Sequence, residues 1–120
     1  MKFLSVYKNV ERNTPPSQAE MERMGKLVED GFKSGSLLAT EGCLPTALGA
    51  KIRISNGKVT VTDGPFSEAK EVIGGFALLQ ATTKEDAIRF VKEFLEVVGE
   101  GECELRQIYD GEGECVPKAS

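Results

Sequence analysis

Histidine is absent from this sequence, and no other feature of the composition excludes so much. Without histidine there is no Ser-His-Asp or Cys-His arrangement, no imidazole to move protons near neutral pH, and no access to the commonest transition-metal ligand. Any acid–base chemistry must use carboxylates, lysine or tyrosine. The sequence therefore indicates neither a metal site nor another cofactor.

Cysteine is scarce: the chain holds Cys43, Cys103 and Cys115. Their odd number, and the lack of a CxxC pair, argue against a disulfide framework and against a tetrahedral zinc site. Cys43 and Cys103 lie within or beside apolar runs, so we expect both to be buried as small hydrophobic residues. Cys115 lies in a tail rich in glycine and glutamate, where exposure is expected.

Long apolar runs and basic blocks are also missing. The apolar segment 3–7 is far too short for a signal sequence or a membrane span, so we expect no membrane association and a cytoplasmic location. The chain has 15 Lys+Arg against 19 Asp+Glu, which argues against a nucleic-acid partner. With 120 residues, 40% of them hydrophobic and 28% charged, the composition is that of one folded domain.

Two helices carry clear start and stop signals. Ser17 and Glu20 form a capping box, apolar residues follow at spacings of three and four, and Gly35 stands just past the end. Thr83 begins a second apolar stripe, which Gly99 ends. Both segments are therefore predicted to be amphipathic helices.

Strands are predicted at 2–7, 76–81 and 103–109, and Asn56-Gly57 between alternating flanks predicts a β-hairpin with a type I′ turn. The resulting order is the β-α-β-β-α-β ferredoxin-like pattern of an α+β protein, with the hairpin inserted in its middle. Both helices of that fold cover one face of an antiparallel sheet. A second copy of the chain is the usual cover for the other face, so we expect a homodimer.

The segment 62–76, TDGPFSEAKEVIGGF, is the most unusual stretch of the chain. Asp63-Gly64-Pro65 is turn chemistry and needs no further role. Glu68, Lys70 and Glu71 then crowd into four residues, either as a solvated charged turn or as polar groups beside a ligand. A double glycine lets the chain enter the next strand at close range.

Alternation in the last strand places Leu105 on the helix-covered side and Glu104 and Arg106 on the open face. Two interpretations remain for Arg106: an ion pair inside an interface, or an anchor for an anionic group in an apolar-walled cleft. Arg53, in the hairpin, is a weaker candidate for the same role.

The run VTDGPFSEAKEVIGGF, over 61–76, resembles the signature of the DGPF-domain proteins within the YCII-related family. The resemblance extends to 37–53 and to 101–107, and implies a dimeric α+β barrel of ferredoxin-like protomers. Members of the wider family have been proposed as small enzymes with a His-Asp dyad, which cannot operate in a chain without histidine. Ala77 and Leu79 stand where relatives often carry larger aromatics, so the cleft is expected to be roomier or shaped for a different ligand.

Three functions are open on this basis. The first is a dimeric module whose interior cleft, at the interface of the sheet and the dimer, binds a small molecule that can carry an anionic group. In it Asp63 would fix the loop, Phe66 would wall the pocket, and Arg106, Lys70 or Arg53 would supply positive charge. The domain would cover 1–110, followed by a tail over 111–120.

The second is a carboxylate-based enzyme of isomerase, lyase or dehalogenase type, with Asp63 or Glu68 as the base and Arg106 stabilising negative charge. The third is a regulatory interaction subunit. Its basis is that some relatives are encoded beside, or fused to, extracytoplasmic-function sigma factors.

Overall fold

The structure is a computed structural model that describes residues 1–11, 14–66 and 69–109. Cys115 and the predicted tail over 111–120 lie outside these residues. The elements, in chain order, are β1 (Lys2–Asn9), α1 (Gln18–Ser34), β2 (Leu37–Gly42), a 3-10 turn (Thr46–Leu48), β3 (Ala50–Ser55), β4 (Lys58–Asp63), β5 (Val72–Gln80), α2 (Lys84–Val98) and β6 (Glu102–Gln107).

Four strands form one antiparallel sheet in the order β2-β5-β1-β6, while β3 and β4 form a separate two-stranded sheet. The order and the two crossover helices are those of the ferredoxin-like arrangement, so the predicted α+β fold is confirmed. β5 begins at Val72, four residues before the predicted start at 76. The double glycine therefore lies inside this strand rather than ahead of it.

The helix boundaries follow the predicted caps. The Ser17 side chain accepts a hydrogen bond from the backbone N–H of Glu20, and Gly35 ends α1 in the left-handed conformation. The Thr83 side chain accepts from the backbone N–H of Asp86, and Gly99 closes α2 in the same left-handed way. Each side-chain cap satisfies a donor that the helix leaves unpaired, which stabilises the helix by about 1 kcal/mol.

The hydrophobic core lies between the helices and one face of the four-stranded sheet. Phe3 of β1 stands opposite Leu79 of β5, and the two are 2% and 1% exposed. Leu37, Ala87 and Val91 complete the buried cluster. Alternation along β6 places Cys103 and Leu105 against this cluster, as predicted. The helix-covered face is therefore the one that the sequence indicated.

The arm, which is the hairpin of β3 and β4, stands apart from this core. Asn56 and Gly57 have φ of 51° and 78°, which confirms the predicted turn residues. All residues of both strands are exposed. Because side chains alternate, one face of the arm is polar and the other is apolar, with Ile52 opposite Val61.

Cys43 departs from the prediction: its side chain is exposed, whereas we expected a buried one. The residue lies just after the end of β2, where the chain leaves the sheet for the 3-10 turn, so the apolar run before it does not continue into the core. Cys103 is partly buried and packs against the core. Among the helices that the structure describes, none combines the length and the apolarity needed to cross a membrane.

Candidate functional site

A cavity of about 630 Å³ lies on the helix-covered face of the sheet, under both helices. Its origin is visible in the strand register. Where Phe3 faces Leu79 the layer between helices and sheet is filled, but farther along β1 the small residues Ser5 and Ala77 face each other. Two small side chains in that pair leave the space open, because nothing projects from the sheet to meet the helices.

The walls of the cavity are mostly apolar. Its helix side is lined by side chains from α1 and α2, among them Met24, Val28, Phe90 and Phe94. The Tyr7 ring meets the Phe94 ring edge-on, with centroids 5.1 Å apart. The Tyr7 hydroxyl donates to the backbone carbonyl of Glu100 at 2.7 Å, so the ring forms a rigid wall.

Cys103 is a cavity-lining thiol with a defined protonation state. Burial raises the pKa of Cys103 above its ordinary value, and a hydrogen bond with Ser5 offsets only part of that rise. The thiol is therefore protonated near neutral pH and behaves as a weakly polar wall of the cavity rather than as a nucleophile.

The clearest polar feature of the cavity is the carboxylate of Glu11, which follows β1. Its Oε2 accepts a hydrogen bond from the Thr46 backbone N–H at 2.6 Å, and its Oε1 accepts one from the Thr46 hydroxyl at 2.9 Å. Two donors from one residue fix the carboxylate plane. Glu11 therefore reaches the cavity in a single orientation.

Thr46 also connects this carboxylate to the DGPF segment, residues 63–66. The same Thr46 hydroxyl accepts a hydrogen bond from the Phe66 backbone N–H at 3.0 Å. Thr46 is almost fully buried. Glu11 lies 35 positions before it in the sequence, and Phe66 lies 20 positions after it. The Glu11–Thr46–Phe66 network thus connects three separate loops through one threonine.

The loop after β4 begins at Gly64, a position that has no room for a side chain. The Gly64 backbone N–H donates to the Gly49 carbonyl at 2.9 Å, which holds the two loops together. A Cβ at Gly64 would lie 1.7 Å from the Thr46 carbonyl oxygen, so no other residue fits without displacing the backbone. The glycine of the motif is required for close approach to the 3-10 turn.

The residues predicted to form the site do not converge on the cavity. Asp63 ends β4, and Phe66 stacks under the Lys51 ammonium, which lies 4.7 Å from the ring centroid. Glu68 lies outside the described residues. None of the remaining five predicted residues is part of the cavity lining: these are Arg53, Asp63, Phe66, Lys70 and Arg106.

Arg106 lies on the open face, as predicted. Its Nη1 is 3.1 Å from Oε2 of Glu104, and the Lys8 Nζ is 3.1 Å from Oε1 of the same carboxylate. The hydrogen bonds from Lys8 and Arg106 lower the pKa of Glu104, while Glu104 raises the pKa of Lys8. The ion pair of Arg106 with Glu104 is therefore present, while its position inside an interface and a role of Arg106 toward a ligand stay predictions.

Sequence reasoning missed Glu11 and Thr46. Glu11 lies in the break between β1 and α1, and Thr46 follows Pro45 in a stretch that reads as an ordinary loop. The two residues are 35 positions apart, so no local pattern links them. Only the order of strands in the sheet brings their loops to the same edge.

Across residues 1–11, 14–66 and 69–109, no group of three or more cysteine, aspartate or glutamate side chains is placed to hold a metal ion. The charged residues that line the cavity are glutamates, Glu11 and Glu20 among them, with no lysine or arginine in the described lining. The described lining is thus mostly apolar, with a carboxylate fixed at its polar side.

The fold and the cavity together define a ferredoxin-like α+β protein with an apolar pocket between its helices and its sheet. The sequence profile of the YCII-related domain matches residues 1–110, and the chain belongs to that family.

The chain is also similar to individual proteins, over part of its length or at low sequence identity. The chain is 34% identical, over 61 residues, to the uncharacterized protein R00369 of Rhizobium meliloti (strain 1021). That stretch covers 51% of this chain and 49% of the relative, so the match spans about half the length of each.

Among solved structures, the chain is similar to 5-chloro-2-hydroxyhydroquinone dehydrochlorinase (TftG) from Burkholderia phenoliruptrix AC1100, in complex with 2,5-dihydroxybenzoquinone. The identity is 16% and the TM-score 0.49, with 93% of this chain and 97% of that chain covered.

Proposed function

We propose that this protein binds a small, largely apolar molecule in the cavity between its helices and its sheet. The observation that carries the proposal is the cavity itself, whose volume of about 630 Å³ lies within the roughly 300–1,000 Å³ typical of ligand pockets. Its aromatic and aliphatic walls provide affinity by removing apolar surface from water. The fixed Glu11 carboxylate provides orientation.

The charges around the cavity select the ligand. Glu11 and Glu20 contribute carboxylates to the lining, and neither is part of an ion pair between described residues. In the described part of the lining, an anionic ligand would meet like charge without a lysine or arginine to offset it, whereas a hydroxyl or ammonium group can donate to Glu11. We therefore expect neutral or cationic ligands to bind more tightly than anionic ones.

In this proposal the DGPF segment holds the polar side of the pocket in place without lining the pocket itself. Phe66 holds Thr46 through its backbone N–H, Thr46 holds Glu11, and Gly64 allows the loops to approach. The side chains of Asp63, Lys70 and Arg53 act outside the pocket. A competing site remains on the open face, where Arg106 would bind an anion as the sequence predicts.

A thermal-shift panel separates these two sites. Neutral, cationic and anionic forms of matched aromatic compounds would be tested at equal concentrations, because a ligand that binds the folded state raises Tm. We expect shifts from the neutral and cationic members, lost in Ala77→Leu, which fills the cavity. Ala50→Leu, an exposed strand alanine in the arm, is the matched control and should keep the shift.

Two results would contradict the proposal. One is a preference for anions that disappears in Arg106→Ala and survives Ala77→Leu, which would move the site to the open face. The other is a panel without any shift, confirmed by native mass spectrometry, which would favour the regulatory function with a protein partner.

An acid–base enzyme is the second candidate function, because the Glu11 carboxylate is held at the cavity in one orientation. A fixed carboxylate within reach of a bound molecule is the geometry that a general base needs. Glu11→Gln removes the base and keeps the size. If the protein is an enzyme, a bound compound is turned over by the wild type and bound without turnover by the variant. Glu96→Gln, on the exposed part of α2, is the control, and Asp63→Asn tests the base that the sequence predicts.

We also infer that the protein forms a homodimer through the face of the sheet that the helices leave open. The register places Leu4 opposite Leu78 and Val6 opposite Phe76 on this face, and all four are at least partly exposed. An apolar sheet face of this kind is normally covered. Sedimentation velocity over a range of concentrations tests the proposal: a monomer throughout would contradict it.

A further inference from the structure

The arm, residues 50–63, carries a second unpartnered apolar surface. On one face Ile52 lies opposite Val61 and Ile54 lies opposite Val59, and their exposed fractions run from 58% to 70%. Four β-branched aliphatics in two cross-strand pairs form a continuous stripe. A two-stranded ribbon is only marginally stable alone in water, so such a stripe is expected to lie against another surface.

Among the residues that the structure describes, the arm has no such surface. Its strands pair only with each other, and all residues of β3 and β4 are exposed. Its attachment is at the base, where Gly64 bonds to Gly49 and Lys51 lies over the Phe66 ring. The arm is thus held firmly at one end and presents its apolar stripe to the outside.

The net charge of the arm bears on which molecule covers its apolar stripe. The arm holds Lys51, Arg53 and Lys58 against Asp63, a net charge of +2, so the rest of a chain whose formal charge is −4 carries −6. Lys51, Arg53 and Lys58 lie on the face of the arm opposite the stripe, so they do not contact a partner beneath the stripe. At longer range, a basic arm is complementary to the acidic body of another copy of the same chain.

Area points to the same occupant. A specific interface buries about 800 Å² on each partner, and four aliphatic side chains offer only on the order of 100 Å² each. The arm alone is therefore too small to hold a stable dimer, and so is a sheet face interrupted by the Lys8–Glu104–Arg106 charges. The two apolar surfaces together supply what neither provides alone.

We propose that the arm of one protomer lies with its apolar stripe on a second copy of this chain and forms part of the dimer interface, beside the open face of the sheet. This inference rests on the proposed homodimer. A two-fold axis makes it reciprocal, since each protomer both provides an arm and receives one.

Sedimentation equilibrium of four proteins tests it: the wild type, Ile54→Asp, Ser55→Asp and Leu78→Asp. Ile54 and Ser55 are neighbours on opposite faces of the arm, so Ser55→Asp introduces the same charge at a position that the interface does not need. We expect the dimer dissociation constant to rise by about 30-fold or more for Ile54→Asp, as for loss of a central interface contact, and by less than about threefold for Ser55→Asp. Because Ile54 is exposed in the protomer, the folded monomer should persist.

Leu78→Asp distinguishes failure of this inference from failure of the homodimer. If Leu78→Asp dissociates the dimer while Ile54→Asp does not, the homodimer stands and the role of the arm is overturned. Equal weakening by Ile54→Asp and Ser55→Asp would also overturn it, because the effect would then be one of charge alone. A wild type that is monomeric throughout would overturn both. Hydrogen exchange supplies an independent readout: the β3–β4 amides should be protected at concentrations that favour the dimer and lose protection on dilution.

Discussion

The four-stranded sheet and the arm are built from the same alternating pattern of apolar and polar residues, yet they end in opposite environments. Phe3 and Leu79 of the sheet are almost fully buried, whereas Ile52 and Val61 of the arm are 70% and 63% exposed. The difference comes from the connections between the strands. Two connections between sheet strands, β1 to β2 and β5 to β6, are helices that fold back over the sheet, while the arm strands are joined by a two-residue turn that brings no cover.

The comparison shows that alternation specifies which residues share a face, and that connectivity decides whether the face is covered within one chain. On the sheet, the packing of the helices produces both the buried core and the cavity. The core lies where Phe3 stands opposite Leu79, and the cavity lies where the small residues Ser5 and Ala77 leave space beneath the helices. On the arm, the apolar face is available to a partner. In our proposals, ligand binding therefore belongs to the helix-covered face of the sheet, and association belongs to its open face and to the arm.

The largest expected effect separates the two regions by stability. Phe3→Ala removes a ring from the buried cluster and should lower the free energy of unfolding by about 3–5 kcal/mol. Ile54→Ala on the arm should change it by no more than about 0.5 kcal/mol, because Ile54 and its cross-strand neighbour Val59 are both largely exposed in the protomer. Urea unfolding at a concentration that favours the monomer measures both. A similar loss in the two variants would contradict the distinction.

A smaller effect is expected at the junction between the regions. Thr46→Val keeps the shape of the side chain but leaves Glu11 without its hydroxyl donor and the Phe66 N–H without its acceptor. The free energy of unfolding should fall by about 1–3 kcal/mol, the range for unsatisfied groups that are partly buried. Any ligand that contacts Glu11 should also bind more weakly.

Thr60→Val is the matched control, since Thr60 lies on the exposed polar face of the arm. Its stability and its ligand binding should equal those of the wild type. If Thr46→Val were as neutral as Thr60→Val, the Glu11–Thr46–Phe66 network would have no role in holding the site.

The smallest effect concerns the pH dependence of stability at the start of α2, the helix whose later turns line the cavity. A hydrogen bond from the Thr82 hydroxyl and the nearby Arg89 guanidinium lower the pKa of Asp86 below its ordinary value of 3.8. Because the folded pKa is the lower one, the carboxylate stabilises the fold above pH 3.8 and loses this effect as the pH falls through the folded value.

The expected result is that Asp86→Asn is less stable than the wild type near pH 6, and that the difference narrows below about pH 4. Thermal unfolding of both proteins across this range measures it. A difference that stays constant with pH would show that the charge of Asp86 contributes nothing.

The local elements of this fold are readable from the sequence because their causes are local. Ser17 and Gly35 bound α1 through atoms within a few residues, and Asn56-Gly57 fixes the arm by its own backbone conformation. The helix-covered side of β6 also follows from alternation. In each case a pattern of ten residues or fewer contains the physical reason.

The site is not readable in this way, since its causes are tertiary. Glu11 and Thr46 meet because two distant loops reach the same edge of the sheet, and Cys43 is exposed because the chain leaves the sheet just before it. The cavity depends on Ser5 standing opposite Ala77, which is a matter of register between strands about 70 residues apart. The described charges of the stretch 62–76, Asp63, Lys70 and Glu71, are prominent in the sequence and yet lie outside the cavity lining.

A thiol footprint tests most directly whether the cavity binds the ligand. Cys43 lines the cavity and its side chain is exposed, so its thiol is open to alkylation. A compound that raises Tm would be added before iodoacetamide, and the alkylation of Cys43 would be measured by peptide mass spectrometry. We predict that the compound slows alkylation of Cys43 several-fold in the wild type and leaves it unchanged in Ala77→Leu, whose cavity is filled. An unchanged rate at Cys43 of the wild type, with the compound bound, would contradict the proposal.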